Sequence, residues 1–117
     1  MKLKTINRIA VTVTFKKKFL DWVNQLPDAG DLKFSLNTLN RDKPIYLVPA
    51  YEDTEEAAEW FGPMKTVVLE EAFESICTEP KWWPTDRSER AFDDYLSAEF
   101  HSMVWDLVVD EPIEKEY

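Results

Sequence analysis

Few side chains in this sequence could carry chemistry. Histidine changes charge near neutral pH more readily than any other side chain, and the chain has one, His101. It lies in the run Glu99-Phe100-His101-Ser102. If that run is a strand, Glu99 and His101 share a face and Ser102 points away. A Ser-His-acid device needs the serine within hydrogen-bond reach of the imidazole, which neighbours on opposite faces do not offer. His101 with Glu99 is therefore the acid–base pair left as a catalytic candidate. The structural alternative is a histidine at a strand edge, satisfied by an acid or a backbone carbonyl.

Metal and thiol chemistry find less support. No His-Glu-x-x-His, Asp-x-Asp or carboxylate-x-x-His pattern falls on an expected helix, so no metal site is expected, and no cofactor is implied. One cysteine, Cys77, excludes an internal disulfide framework and a multi-cysteine metal site. It follows Ile76 in an apolar helical phase, where a thiol is expected to be buried and inert. The run Lys16-Lys17-Lys18 has no glycine-rich loop beside it, so a solvated turn is expected there rather than a phosphate cradle.

Trp82, Trp83 and Arg87 form the candidate binding group. Two tryptophans before Pro84 can make an exposed aromatic ledge, and Trp and Arg are enriched at binding hot spots. The structural alternative packs Trp83 under the helix that follows, as a staple to a cap at Asp86.

The elements that must position these groups follow from length and pattern. A chain of 117 residues is one domain and long enough to bury a core without disulfides. With only Gly30 and Gly62 as glycines, helices with a small sheet are favoured over an all-β sandwich or barrel. Residues 8–15 alternate, with Ile9, Val11, Val13 and Phe15 on one side, which predicts a strand with one buried face. The N-terminus as a whole, residues 1–15, starts basic and turns apolar, but its apolar part alternates with threonine and no cleavage site follows, so it is read as strand rather than export signal. Phe19, Leu20, Val23 and Leu26 predict a short helix that Pro27 ends. Residues 27–43 are rich in turn formers, with one helical turn expected at Ser35–Leu39. Residues 44–49, bracketed by prolines, predict a brief strand.

Residues 53–78 predict a long helix capped by Asp53 with Glu56, kinked at Gly62-Pro63. Its expected inner face holds Phe61, Met64, Val68, Ala72 and Ile76, with Ala57, Trp60, Val67 and Phe73 beside it. A further helix is expected from Arg87 to Leu96, capped by Asp86, with Phe92, Tyr95 and Leu96 inward. Beyond Ser97 helix and strand compete. The strand is preferred, because two strands need a third for a stable sheet; it would put His101, Met103, Trp105, Leu107 and Val109 on one side. The expected fold is α+β: one domain over residues 1–110, with about three strands in a mixed sheet and three to four helices packed on it, in the order β-α-β-α-α-β. Residues 111–117 are expected to be a loose acidic tail.

Several of these groups also fall in a familiar order: Asn7-Arg8-Ile9-Ala10-Val11, Phe19-Leu20-Asp21-Trp22, Tyr46-Leu47-Val48-Pro49, Trp83-Pro84-Thr85-Asp86-Arg87 and Glu99-Phe100-His101-Ser102. In this the chain resembles a family of small acidic bacterial proteins of no known activity. It departs from their pattern at Gly62-Pro63, where an unbroken acidic helix would be expected. The resemblance implies a cytoplasmic bacterial protein and no mechanism.

Charge bounds the function. The net charge of −9 argues against direct binding to nucleic acid or an anionic membrane, and no apolar run approaches membrane-spanning length. Residues 1–43 carry nine Lys/Arg against four Asp/Glu, and residues 44–117 five against nineteen. Such a chain is expected to be a cytoplasmic protein-interaction or regulatory domain whose acidic surface meets a protein with a basic face. The alternatives are a small enzyme using His101 with a carboxylate, and a mimic of nucleic-acid charge that occupies a basic groove. The first two separate on whether His101 lies in a pocket with a carboxylate in reach or on an open surface. Nothing in the sequence bears on monomer against homodimer.

Overall fold

Alternation over eight residues builds the central strand. The computed structural model describes residues 3–27 and 34–116. Within them, β1 (Lys4–Thr5) leads into β2 (Arg8–Phe15), followed by α1 (Lys17–Gln25), α2 (Leu36–Leu39) and β3 (Ile45–Pro49). Then come α3 (Thr54–Phe61), a 3-10 turn (Gly62–Met64), α4 (Lys65–Ile76), a second 3-10 turn (Pro80–Trp82), α5 (Glu89–Tyr95), β4 (Leu96–His101) and β5 (Trp105–Asp106). The turn-rich stretch expected over residues 27–43 falls partly on residues 28–33, Gly30 among them, which lie outside the described residues.

β2 is the middle of a three-stranded sheet ordered β3-β2-β4. Both pairings are antiparallel, with Val11 opposite Tyr46 on one side and Phe100 on the other. The sheet is therefore antiparallel throughout, not mixed. Alternation specifies which side chains face inward, and it is silent on the direction in which a neighbouring strand runs. β1 and β5 pair antiparallel as a separate ribbon, with Ile6 N–H donating to the Val104 carbonyl at 2.9 Å.

The α+β core lies between the sheet and the helices. Ile9, Val11, Val13 and Phe15 are buried with Val48 and Leu96, against Phe19 and Val23 of α1, Phe61 of α3, Leu69 and Phe73 of α4 and Phe92 of α5. Phe19 and Phe73 stack with ring centroids 5.6 Å apart, and Phe73 meets Tyr95 edge-on at 5.3 Å. The other sheet face carries Ala10, Thr12, Ile45, Leu47, Glu99 and His101; Ile45 is 63% exposed.

Local signals set the helix ends. Leu26, beside Pro27, is extended and closes α1. Ser35 caps α2, accepting from Thr38 N–H, and Asp53 caps α3, accepting from Glu56 N–H at 2.8 Å. The cap of α5 is Ser88, not Asp86: the Ser88 hydroxyl accepts from Ala91 N–H at 3.2 Å. Asp86 lies one turn earlier and accepts from Ser88 N–H, closing the loop that delivers the cap. The buried face continues across the break at Gly62-Pro63: Phe61, Val68 and Ala72 of the expected face are buried with Ala57 and Phe73 beside it, Leu69 joins them, and Trp60, Met64 and Val67 are exposed. No helix among the described residues is long and apolar enough to cross a membrane.

Candidate interaction surface

β4 places His101 on the open face of the sheet, opposite Ala10 and two residues from Glu99, which stands opposite Thr12. All of Glu99, His101 and Ser102 are exposed. No hydrogen bond or ion pair reaches the imidazole from any described residue. Neither His101 nor Glu99 lines any of the three clefts described below. Among the described residues, no group of three or more His, Cys, Asp or Glu converges as metal ligands.

The tryptophan turn is built as a lock. The Trp83 indole N–H donates to the Cys77 carbonyl at 2.7 Å, and its half-buried ring packs beside Phe73. Arg87 stacks over that ring at 5.6 Å and donates to the Pro84 carbonyl at 2.8 Å. The Trp22 indole N–H reaches the Trp82 carbonyl at 2.9 Å, so the turn is fastened to α1 from its other side. The Trp83 indole N–H and one Arg87 terminal amino group thus spend their hydrogen bonds within the fold, while the buried Arg87 Nε has no hydrogen-bond partner among the described residues. The Trp82 ring is free of that lock: it is 47% exposed and lines a cleft of about 320 Å³ beside Leu26, Ile76 and Cys77.

Cys77 is half-buried, not buried. α4 ends at Ile76, and Cys77 follows in extended backbone as its C-cap. Leaving the helical phase one residue early takes the thiol off the apolar stripe and turns it toward the cleft.

A second cleft, of about 280 Å³, opens between α3, α5 and β4 over Phe92, Leu96 and Phe100. Lys16 and Lys65 enter it, and both are held by Asp93: Lys16 through its carbonyl, Lys65 through its carboxylate at 3.1 Å. Two other groups have displaced proton affinities. Asp86 is held below the ordinary carboxylate value, chiefly by its hydrogen bonds with Ser88, with Lys18 and Arg90 adding. Burial pushes the Tyr46 hydroxyl up, and the Glu71 charge adds to it.

The expected strand over residues 99–109 is interrupted. β4 stops at His101, and only Trp105 and Asp106 resume pairing, against β1. The side expected to hold Met103, Trp105, Leu107 and Val109 together is open rather than covered. Met103, Trp105, Leu107 and Val109 are exposed, as are Val108 and Ile113. The one sequence signal of this was Asp106, Asp110 and Glu111 set among the apolar residues, which a buried strand would not carry. A third cleft, of about 440 Å³, lies where the ribbon leaves the sheet, between Leu47, Arg8, Asp106 and Ile113.

Of the groups singled out from sequence, the structure brings together Trp83, Arg87 and the Cys77 backbone, while Glu99 and His101 share the open sheet face with no hydrogen bond or ion pair between them. No protein-family model, no curated protein and no solved structure matches this chain.

Proposed function

We propose that the protein is a small cytoplasmic interaction or regulatory domain that meets a basic protein partner through its acidic surface, and that it binds neither nucleic acid nor membrane. One observation carries this reading: the carboxylates are left unneutralised. Among the described residues only two ion pairs form, Lys18–Asp94 at 3.8 Å and Lys65–Asp93 at 3.1 Å, and both join to α5. Glu52, Glu55, Glu56, Glu59, Glu71 and Glu74 stand exposed along α3 and α4 without such partners. The position of His101 on an open face, outside the clefts described above, favours this reading over the enzyme.

Exposed charge of one sign acts mainly on the rate of encounter, over about a Debye length, roughly 8 Å at physiological salt. The test is association kinetics of the full chain with a partner captured from a bacterial lysate. The on-rate should fall steeply between about 50 and 500 mM salt while the off-rate barely moves. An on-rate indifferent to salt, or binding to DNA or RNA at physiological salt, would reject the proposal.

A further inference from the structure

The ribbon end of the molecule combines two properties that a solubilising surface does not need. Six large apolar side chains, Met103, Trp105, Leu107, Val108, Val109 and Ile113, are each between 47% and 71% exposed within one stretch of eleven residues. Single exposed apolar residues are ordinary; a run of them marks a contact surface. Taking about 200 Å² for each large side chain, they expose on the order of 700 Å², close to the roughly 800 Å² one partner gives to a standard interface.

The second property is charge. Residues 103–116 carry Asp106, Asp110, Glu111, Glu114 and Glu116 against Lys115, and Lys4 of β1 stands opposite Asp106, which leaves this end of the molecule with a surplus of three carboxylates. None of these carboxylates joins an ion pair among the described residues. A second copy of this chain is a poor occupant, because a two-fold contact would set this acidic segment against itself. A complementary occupant carries the opposite charge in the same interleaved arrangement.

We infer that residues 103–113 and the β1–β5 ribbon are the docking surface for a protein segment in which lysines or arginines alternate with large apolar side chains. This rests on the basic-partner reading above and adds where contact is made and why charge alone does not suffice. The apolar side chains of the segment cover Trp105, Leu107 and Val109, and its cations meet Asp110 and Glu111.

The probes are three short synthetic peptides: alternating lysine and leucine, the same with serine for leucine, and the same with glutamate for lysine. Each is titrated into the full chain and followed by amide NMR and tryptophan fluorescence. The lysine–leucine peptide should shift residues 103–113 and bind at least about tenfold tighter than either control. Trp105→Ser with Leu107→Ser should weaken it by a similar factor, while Glu55→Gln with Glu56→Gln on α3 should change it less than about twofold. The map on the native chain keeps the test valid even if the double serine variant loses the ribbon.

Shifts confined to α3 and α4, or equal binding of the lysine–leucine and lysine–serine peptides, would overturn the docking surface and leave the basic-partner reading standing. Failure of both lysine peptides at low salt would overturn both. Equal binding of the glutamate–leucine peptide would remove the charge requirement and reject this partner class. Self-association in sedimentation, or sedimentation with phosphatidylcholine vesicles, with shifts at 103–113, would assign the surface to a second copy or to lipid instead.

Discussion

Trp82 and Trp83 are chemically identical neighbours with opposite employment. Trp83 gives its indole N–H to the Cys77 carbonyl at 2.7 Å and carries Arg87 on its face. Losing a hydrogen bond to a part-buried acceptor costs about 1–3 kcal/mol, so Trp83→Phe should lower the unfolding free energy by that much, read as a lower urea midpoint at unchanged slope. Trp82 contributes its backbone carbonyl, and its ring is half-exposed. Trp82→Ala should therefore cost under about 0.5 kcal/mol. Equal losses for the two would mean that the lock is misassigned. Sequence placed Trp82, Trp83 and Arg87 together but could not divide them, because which indole turns inward depends on where α4 stops. The same missing residue of helix explains why Cys77 is half-buried rather than inert in the core. At Asp86 the folded carboxyl binds its proton more weakly than the ordinary value of 3.8, through Ser88 first and then Lys18 and Arg90. A depressed value contributes stability that is present above 3.8 and is lost as pH falls through the folded value. Asp86→Asn should thus be less stable than the native chain near neutral pH, with the gap closing in acid. A gap that stays constant with pH would show that the charge of Asp86 plays no part.

At the scale of elements, pattern was legible and direction was not. β2 follows its alternation except at Ala10, which is buried too, because one buried face and one more open face leave a period of two in the sequence. Strand polarity leaves no such trace, and the antiparallel sheet emerged only with the pairing itself. The helical period of residues 53–78 persists across the 3-10 turn at Gly62-Pro63: Ala57 and Phe61 of α3 and Val68, Ala72 and Phe73 of α4 are buried as the spacing predicts. That turn gives a separate expectation. Gly62 has ordinary right-handed helical angles, φ −46° and ψ −59°, and a Cβ there would meet only Glu89 Oε2, at 3.8 Å. The next residue is Pro63, however, and a proline ring crowds a Cβ on a preceding residue held in the right-handed helical region. Gly62→Ala should therefore lower stability, by on the order of 1 kcal/mol. The measurement is a shift in urea midpoint at unchanged slope. A gain of stability would mean that the proline ring leaves room for the added methyl.

The whole molecule is long for its size. Its extents are 51 × 28 × 27 Å and its radius of gyration is 16.4 Å, against roughly 13 Å for a compact chain of similar length. The buried core contains no residue beyond Leu96, and the last side chains packed against it are Ala98 and Phe100. Residues 103–116 therefore add length and surface rather than core. Their apolar content made them read as core in the sequence, because composition records what a residue is and not whether a partner strand extends far enough to cover it. Ending the chain after Ser102 removes β5 and its pairing to β1 but keeps every contact of β2 with β3 and β4. The shortened chain should fold cooperatively, with unfolding free energy within about 1–2 kcal/mol of the full chain. Its radius of gyration in small-angle scattering should fall toward roughly 13–14 Å. Loss of cooperative unfolding would place the ribbon inside the folding unit. An unchanged radius would mean that the ribbon does not project from the body in solution, and the surface inferred for it would then be covered by the chain itself.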